Sequence, residues 1–229
     1  MGIQFTKNEN LTMTMRSIVC RFARVVGLLG GVLCATAARC ESGPKSNLPV
    51  GYVEEAPLPE GFPPPSEPGK VVEKSYPVLR SYSATGAGSF MKCFGYLSVK
   101  QHKMTAPVVM ECKPGADPNR RRPGDDMPVP IERMHFLLEK NSLDEPKVAG
   151  PIKVADMPAM RVLSIAFRGD SSPEAVKKGK AAIESRLKEM PDIERAGEYR
   201  ILGYNSPMLE RSKNFWELQL PIAAKQKTK

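Results

Sequence analysis

The order in which two kinds of hydrophobic spacing follow one another constrains this chain more than any single motif does. Residues 71–83 (VVEKSYPVLRSYS) alternate apolar and polar around Pro77, as in an edge strand or two short strands with a break. After an ATGAGS segment, Phe90, Phe94 and Leu97 recur at helical spacing and predict a short helix with all three on one face. Residues 104–112 (MTAPVVMEC) are apolar and β-branched, and the Pro-, Gly- and Arg-rich stretch through Pro130 reads as a long loop. A strand over residues 131–139 puts Met134, Phe136 and Leu138 on one side and Arg133 and His135 on the other. Another strand fits residues 159–168.

The clearest helix runs from Pro173 to Met190. Ser172 suits its N-cap, Pro173 its first helical position and Glu174 the positive end of its dipole. Its core stripe is Val176, Gly179, Ile183, Leu187 and Met190. Strands over residues 198–203 and 214–221 complete the chain, the last with Trp216, Leu218 and Leu220 on one face. The order is strand, helix, strands, given twice. It predicts an α+β domain with a curved antiparallel sheet built from two β-α-β-β halves and two flanking helices. The duplication is one of topology, without a residue-level repeat between the halves.

The front end reads as an address. Residues 25–38 (VVGLLGGVLCATAA) form an uncharged run preceded by Arg16, Arg21 and Arg24 and closed by Ala35-Thr36-Ala37, the pattern of a signal peptide. The run falls short of the ~20 residues a spanning helix needs. Residues 1–38 are therefore expected to be a signal peptide or an N-terminal membrane anchor, and the protein to be exported: periplasmic, extracellular or membrane-anchored. Arg39 before Cys40 argues against lipidation there. Residues 39–70 include APLPEGFPPPSEP, whose prolines favour an extended backbone, and read as a Pro-rich linker. The domain is expected over residues 71–222 and a basic tail over residues 223–229.

The formal charge of +9 does not make this a nucleic-acid protein. Five basic residues against Glu9 in residues 1–39 hold +4 of it, leaving +5 for the rest. Much of that sits in Arg120, Arg121, Arg122 and the terminal lysines, with no basic stripe interleaved with aromatics. Paired zinc spacings, a phosphate-cradling glycine loop, a nucleophile elbow and a catalytic triad are likewise missing from the sequence.

At KMTAPVVME, residues 103–111, the chain resembles the SOUL haem-binding family, whose most recognisable segment is a Met-Thr-Ala-Pro-Val strand. Further segments follow in family order: YPVLRSY (76–82) as the opening strand, GSFMKCFGYL (88–97) as the first helix, Phe167-Arg168-Gly169, GYNSP (203–207) and ELQLPI (217–222). Trp216 stands where the family usually has Asn. The resemblance implies a distorted antiparallel β-barrel with two helices, and a tetrapyrrole such as haem, or another small hydrophobic ligand, in an apolar groove.

Such a ligand needs an apolar slot, cations for its propionates and optionally an axial side chain on the iron. Toward a haem the candidates are His135, as possible axial ligand, with Met134 and Met104 lining the slot. Arg133 and Arg168 are the propionate partners, with Arg161 and Arg211 as further candidates. His102, in the polar VKQHK turn, reads as a surface residue. Cys93 and Cys112 read as buried free thiols, a disulfide being the alternative in an oxidising compartment. A binding protein is thus expected rather than an enzyme. The alternatives are a small-molecule hydrolase using Glu111 or Glu217 near Tyr204, and a module whose groove takes a peptide.

Overall fold

Pro77, which lacks an amide donor, ends β1 (Val71–Tyr76) and separates it from β2 (Leu79–Thr85). In the computed structural model, which describes residues 48–116 and 129–226, these lead into α1 (Ser89–Val99), β3 (Val108–Cys112), β4 (Ile131–Leu137), β5 (Lys147–Ala149) and β6 (Ile152–Met157). The second half is β7 (Met160–Arg168), α2 (Pro173–Lys188), β8 (Ile193–Arg195), β9 (Arg200–Gly203) and β10 (Phe215–Ala224). The apolar N-terminal run, Cys40, Arg120 to Arg122, Lys227 and Lys229 lie outside the described residues.

The strands form one antiparallel sheet in the order β1-β7-β10-β9-β3-β4-β2-β6-β5, with β8 paired to β10. Two β-α-β-β units, β2-α1-β3-β4 and β7-α2-β9-β10, meet at the β3–β9 seam. Outward from that seam the orders are β3-β4-β2 and β9-β10-β7, so each half repeats the other, and α1 packs on β2 and β4 as α2 packs on β7 and β10. The expected barrel is not closed: β1 and β5 are the ends of an open sheet. Both are poor templates for further pairing, since β1 runs into Pro77 and the three-residue β5 exposes Lys147 and Val148.

On the helix face, Tyr82, Met134, Phe136, Ile183, Trp216 and Leu218 form the main core. The Ser172 hydroxyl caps α2 by accepting from Ala175 N at 3.2 Å. A Cβ on Gly179 would sit 2.9 Å from Leu218 Cδ2 and 3.1 Å from the Phe167 ring, so α2 rests on the sheet where only glycine fits. Helix α1 turns differently from the expectation. Cys93 and Leu97 are its buried pair and Phe90 is half-buried, whereas Phe94, a residue beyond Cys93 and about 100° around the helix, is 41% exposed.

The opposite face carries a second core of Leu79, Val109, Leu137, Val162, Leu202 and Phe215. Neither α1 nor α2 covers it; the segment read as a linker does. Phe62 is buried there, and Tyr52, Ala56 and Leu58 pack against it. Proline-fixed extended backbone leaves the free amides and carbonyls to pair with the sheet rim: Ala106 N donates to Pro57 O at 3.0 Å, Glu60 N to Glu139 O at 2.9 Å and Asn205 Nδ2 to Val53 O at 2.8 Å. At the other end, β10 continues through Ala224 and Lys225 N donates to Asp192 O at 2.8 Å, so no free tail begins at residue 223.

Cys93 and Cys112 are free and buried, and burial pushes their thiols up to about 11 and about 12. Because the thiolate is the reactive form, alkylation of the native protein at pH 8 should leave both cysteine peptides unmodified by mass spectrometry, and denaturant should expose them. Rapid native labelling of either would contradict this packing.

Candidate functional site

The strand alternation that builds the two cores also separates the residues expected to share one site. Met134 and Met104 belong to the helix-face core. On the other side of β4, Arg133 and His135 meet Glu111 of β3: Arg133 NH1 lies 3.7 Å and His135 Nε2 3.3 Å from its carboxylate. The latter contact lacks hydrogen-bond alignment, and the Nε2 atom is buried. His135 Nδ1 sits 3.2 Å from Ser81 Oγ. Arg168, at the end of β7, donates to Val50 O. The five therefore do not line one groove. Every arginine considered for propionates is already engaged, Arg161 with Glu73 at 2.7 Å and Arg211 with Asp170 at 3.4 Å.

The covered face holds a buried ionic network that the sequence reading touched only through Glu217 and Tyr204. Its carboxylate accepts from Lys74 Nζ at 2.7 Å, Ser66 N at 2.7 Å, Ser164 Oγ at 2.9 Å and Gln219 Nε2 at 2.8 Å. Burial pulls the Lys74 ammonium below the usual lysine range, against the opposing pull of Glu217. Burial and Glu217 together raise the Tyr204 phenol. Arg200 donates from Nε to Gln219 Oε1 at 2.9 Å and stacks its guanidinium 5.0 Å over the Tyr76 ring. The Glu217 carboxylate is fully engaged, while the Tyr204 hydroxyl and Ser66 Oγ are buried without a partner; the void beside the network, lined by Phe62, Tyr76, Leu79 and Arg200, is about 10 Å³. That leaves room for about one water molecule and none for a substrate. Glu111 has no poise for acid catalysis either: the His135 ring, with Arg133 and Arg200 behind it, holds its carboxyl below the usual range in spite of burial.

A cleft of about 230 Å³ beside α2 is lined by Lys180, Glu184, Arg195 and Tyr199, and two further surfaces stand out among the described residues. An open cleft of about 660 Å³ lies where β1, β7 and the end of β10 meet, lined by Tyr76, Pro158, Met160, Arg161, Pro221 and Ile222. Its functional groups are committed, Arg161 to Glu73 and the Met160 Sδ to Arg200 NH1 at 2.9 Å. The other surface is the outer side of α1, where Met91, Phe94 and Val99 are 64%, 41% and 79% exposed. Scattered exposed apolar residues are ordinary, but three of the eight exposed large apolar side chains among the described residues lie on this 11-residue helix, with Met91 and Phe94 neighbours one turn apart. Lys100, His102 and Lys103 follow directly. His102 is not the free turn residue expected: its Nδ1 lies 2.7 Å from the Tyr82 hydroxyl, which donates to Asp144 Oδ2 at 3.0 Å. No sequence signal marks this, because the three partners lie 20 and 62 residues apart.

Two β-α-β-β halves sharing one antiparallel sheet, with a helix packed on each half, define a small α+β domain. The chain belongs to the SOUL heme-binding protein family, whose sequence profile matches residues 66–217 and which is generally a family of binding proteins rather than enzymes. No curated protein matches the chain. Among solved structures it is similar to an uncharacterized conserved protein from Listeria innocua, at 12% identity and TM-score 0.49, covering 68% of this chain and 93% of that one. It is also similar to the EcmrR C-terminal domain, at 11% identity and TM-score 0.46, covering 68% of this chain and 98% of that one. Against EcmrR in its DNA complex, at 12% identity and TM-score 0.48, it covers 68% of its own length and spans 58% of that chain.

Proposed function

We propose that this chain binds haem or a related tetrapyrrole on the outer face of α1, as a carrier, buffer or sensor. The observation that carries the reading is the exposure of Met91, Phe94 and Val99 on one short helix, with lysines at its end. The residues present fit the group: a macrocycle laid there removes apolar side chains from water, at about 1.5–3 kcal/mol for each fully covered one. Lys103, exposed, supplies positive charge that propionates need, and Lys100, exposed but 3.8 Å from Asp144 Oδ2, adds to it. When bound, haem supplies an iron centre; the chain supplies the apolar surface, the charge and a nearby imidazole. The N-terminal run closed by Ala35-Thr36-Ala37 supports action outside the cytoplasm as part of the same proposal.

Haemin titration of the full chain, followed by the Soret band and by quenching of the sole tryptophan, Trp216, tests this. Saturable one-to-one binding at micromolar Kd or tighter, about −8 kcal/mol, is expected. Met91→Glu with Phe94→Glu should weaken it at least ~10-fold, since charge replaces the apolar contact, while Arg161→Glu in the 660 Å³ cleft leaves it unchanged. Absence of saturable binding would overturn the reading. Sensitivity to Arg161 but not to the α1 pair would move the ligand to the cleft.

A further inference from the structure

We propose that His102 Nε2 is an axial ligand to the iron of a haem bound at α1, its lone pair set by the Tyr82–Asp144 relay behind it. The inference rests on the tetrapyrrole reading and assigns the iron a side chain of this chain. The Tyr82 hydroxyl has one proton and two neighbours, His102 Nδ1 at 2.7 Å and Asp144 Oδ2 at 3.0 Å. Burial alone would raise the Asp144 carboxyl, but Lys147, Tyr82, the Glu145 amide and Lys100 hold it at about 2, so at neutral pH it only accepts. The Tyr82 proton therefore goes to Asp144, and the short contact to His102 requires a proton on Nδ1, donated to the Tyr82 oxygen.

A neutral imidazole with its proton on Nδ1 carries its lone pair on Nε2, the atom a metal takes. This is the arrangement that orients metal-binding histidines: an acceptor chain ending in a carboxylate fixes tautomer and ring plane and makes the ligand more basic. The ring is further held by stacking on Tyr82 at 5.9 Å and 10°. Tyr82 is fully buried, whereas His102 is half-exposed and Nε2 makes no hydrogen bond among the described residues. Backbone places it well too. His102 N donates to Leu97 O at 3.1 Å, so the residue caps the end of α1, where the exposed stripe of Met91, Phe94, Gly95 and Ser98 runs out. His135 offers the opposite: its Nε2 is buried against Glu111, on the face of the sheet away from α1.

The test compares haemin with metal-free protoporphyrin, which has no iron to ligate, on the full chain. His102→Ala should weaken haemin at least ~10-fold, leave protoporphyrin affinity unchanged, and alter the Soret band and the ferric EPR spectrum, with added imidazole restoring both spectra. Tyr82→Phe, which removes only the relay oxygen, should weaken haemin by about 10-fold and spare protoporphyrin. His135→Ala should keep the parent spectra. If His102→Ala keeps haemin affinity and spectra, or weakens both ligands equally, the axial assignment falls and the tetrapyrrole reading stands. If the parent chain binds neither ligand, both fall.

Discussion

Replacing Glu217 with alanine is expected to destabilise the protein by about 3–5 kcal/mol, the cost of leaving one partner of a buried ion pair alone. Glu217 is fully buried in β10, and its four donors come from β1, β7, β10 itself and the segment before β1. Without the carboxylate, the Lys74 ammonium, 8% exposed, keeps only the Pro64 carbonyl at 2.8 Å, and Ser66 N loses its acceptor. The measurement is urea unfolding followed by Trp216 fluorescence, where the midpoint should fall at constant slope. Replacing the pair together, Glu217→Leu with Lys74→Met, should cost markedly less than Glu217→Ala, because the stranded charge carries the penalty. A Glu217→Ala loss under 1 kcal/mol would mean that water reaches Lys74 and that the face is not sealed.

That network also shows where the sequence stops informing. The helix-face core was legible because it follows simple periods: Met134, Phe136 and Leu138 alternate in and out of the sheet, and Val176, Gly179 and Ile183 repeat down α2. The caps Ser172 and Pro173 were legible because they act within one turn. The duplicated topology followed from the order of elements alone. The β5–β6 hairpin escaped because β5 is only three residues, with two of them exposed, so it offers no alternation to detect. Phe94 was misassigned because Phe90, Phe94 and Leu97 fit helical spacing as well as Phe90, Cys93 and Leu97 do, and only the sheet beneath chooses between them. The site was least legible, since Tyr82, His102 and Asp144 meet through three separate elements. Likewise His135 and Met134, adjacent in sequence, necessarily point to opposite faces.

The largest departure concerns residues 48–68, and it carries a sharp test. Phe62→Ala is expected to cost about 3–5 kcal/mol, the loss typical of a large aromatic removed from a core. A residue in a solvated linker would change stability by no more than about 0.5 kcal/mol. Phe62 packs edge-on against Tyr76 at 4.9 Å and 60°, within the cluster that also holds Leu79, Val109 and Leu137. The adjoining void of about 10 Å³ gives neighbours little slack to collapse into the space vacated, so the full cavity penalty should be felt. Val50→Ala, at a residue 87% exposed in the same segment, is the control and should be close to neutral. Urea midpoints of both variants decide the matter. If Phe62→Ala matches Val50→Ala, the segment is a tether lying on the sheet. If it unfolds several kcal/mol earlier, the segment is a structural layer of the domain, and the folding unit begins upstream of residue 66, where the family profile starts.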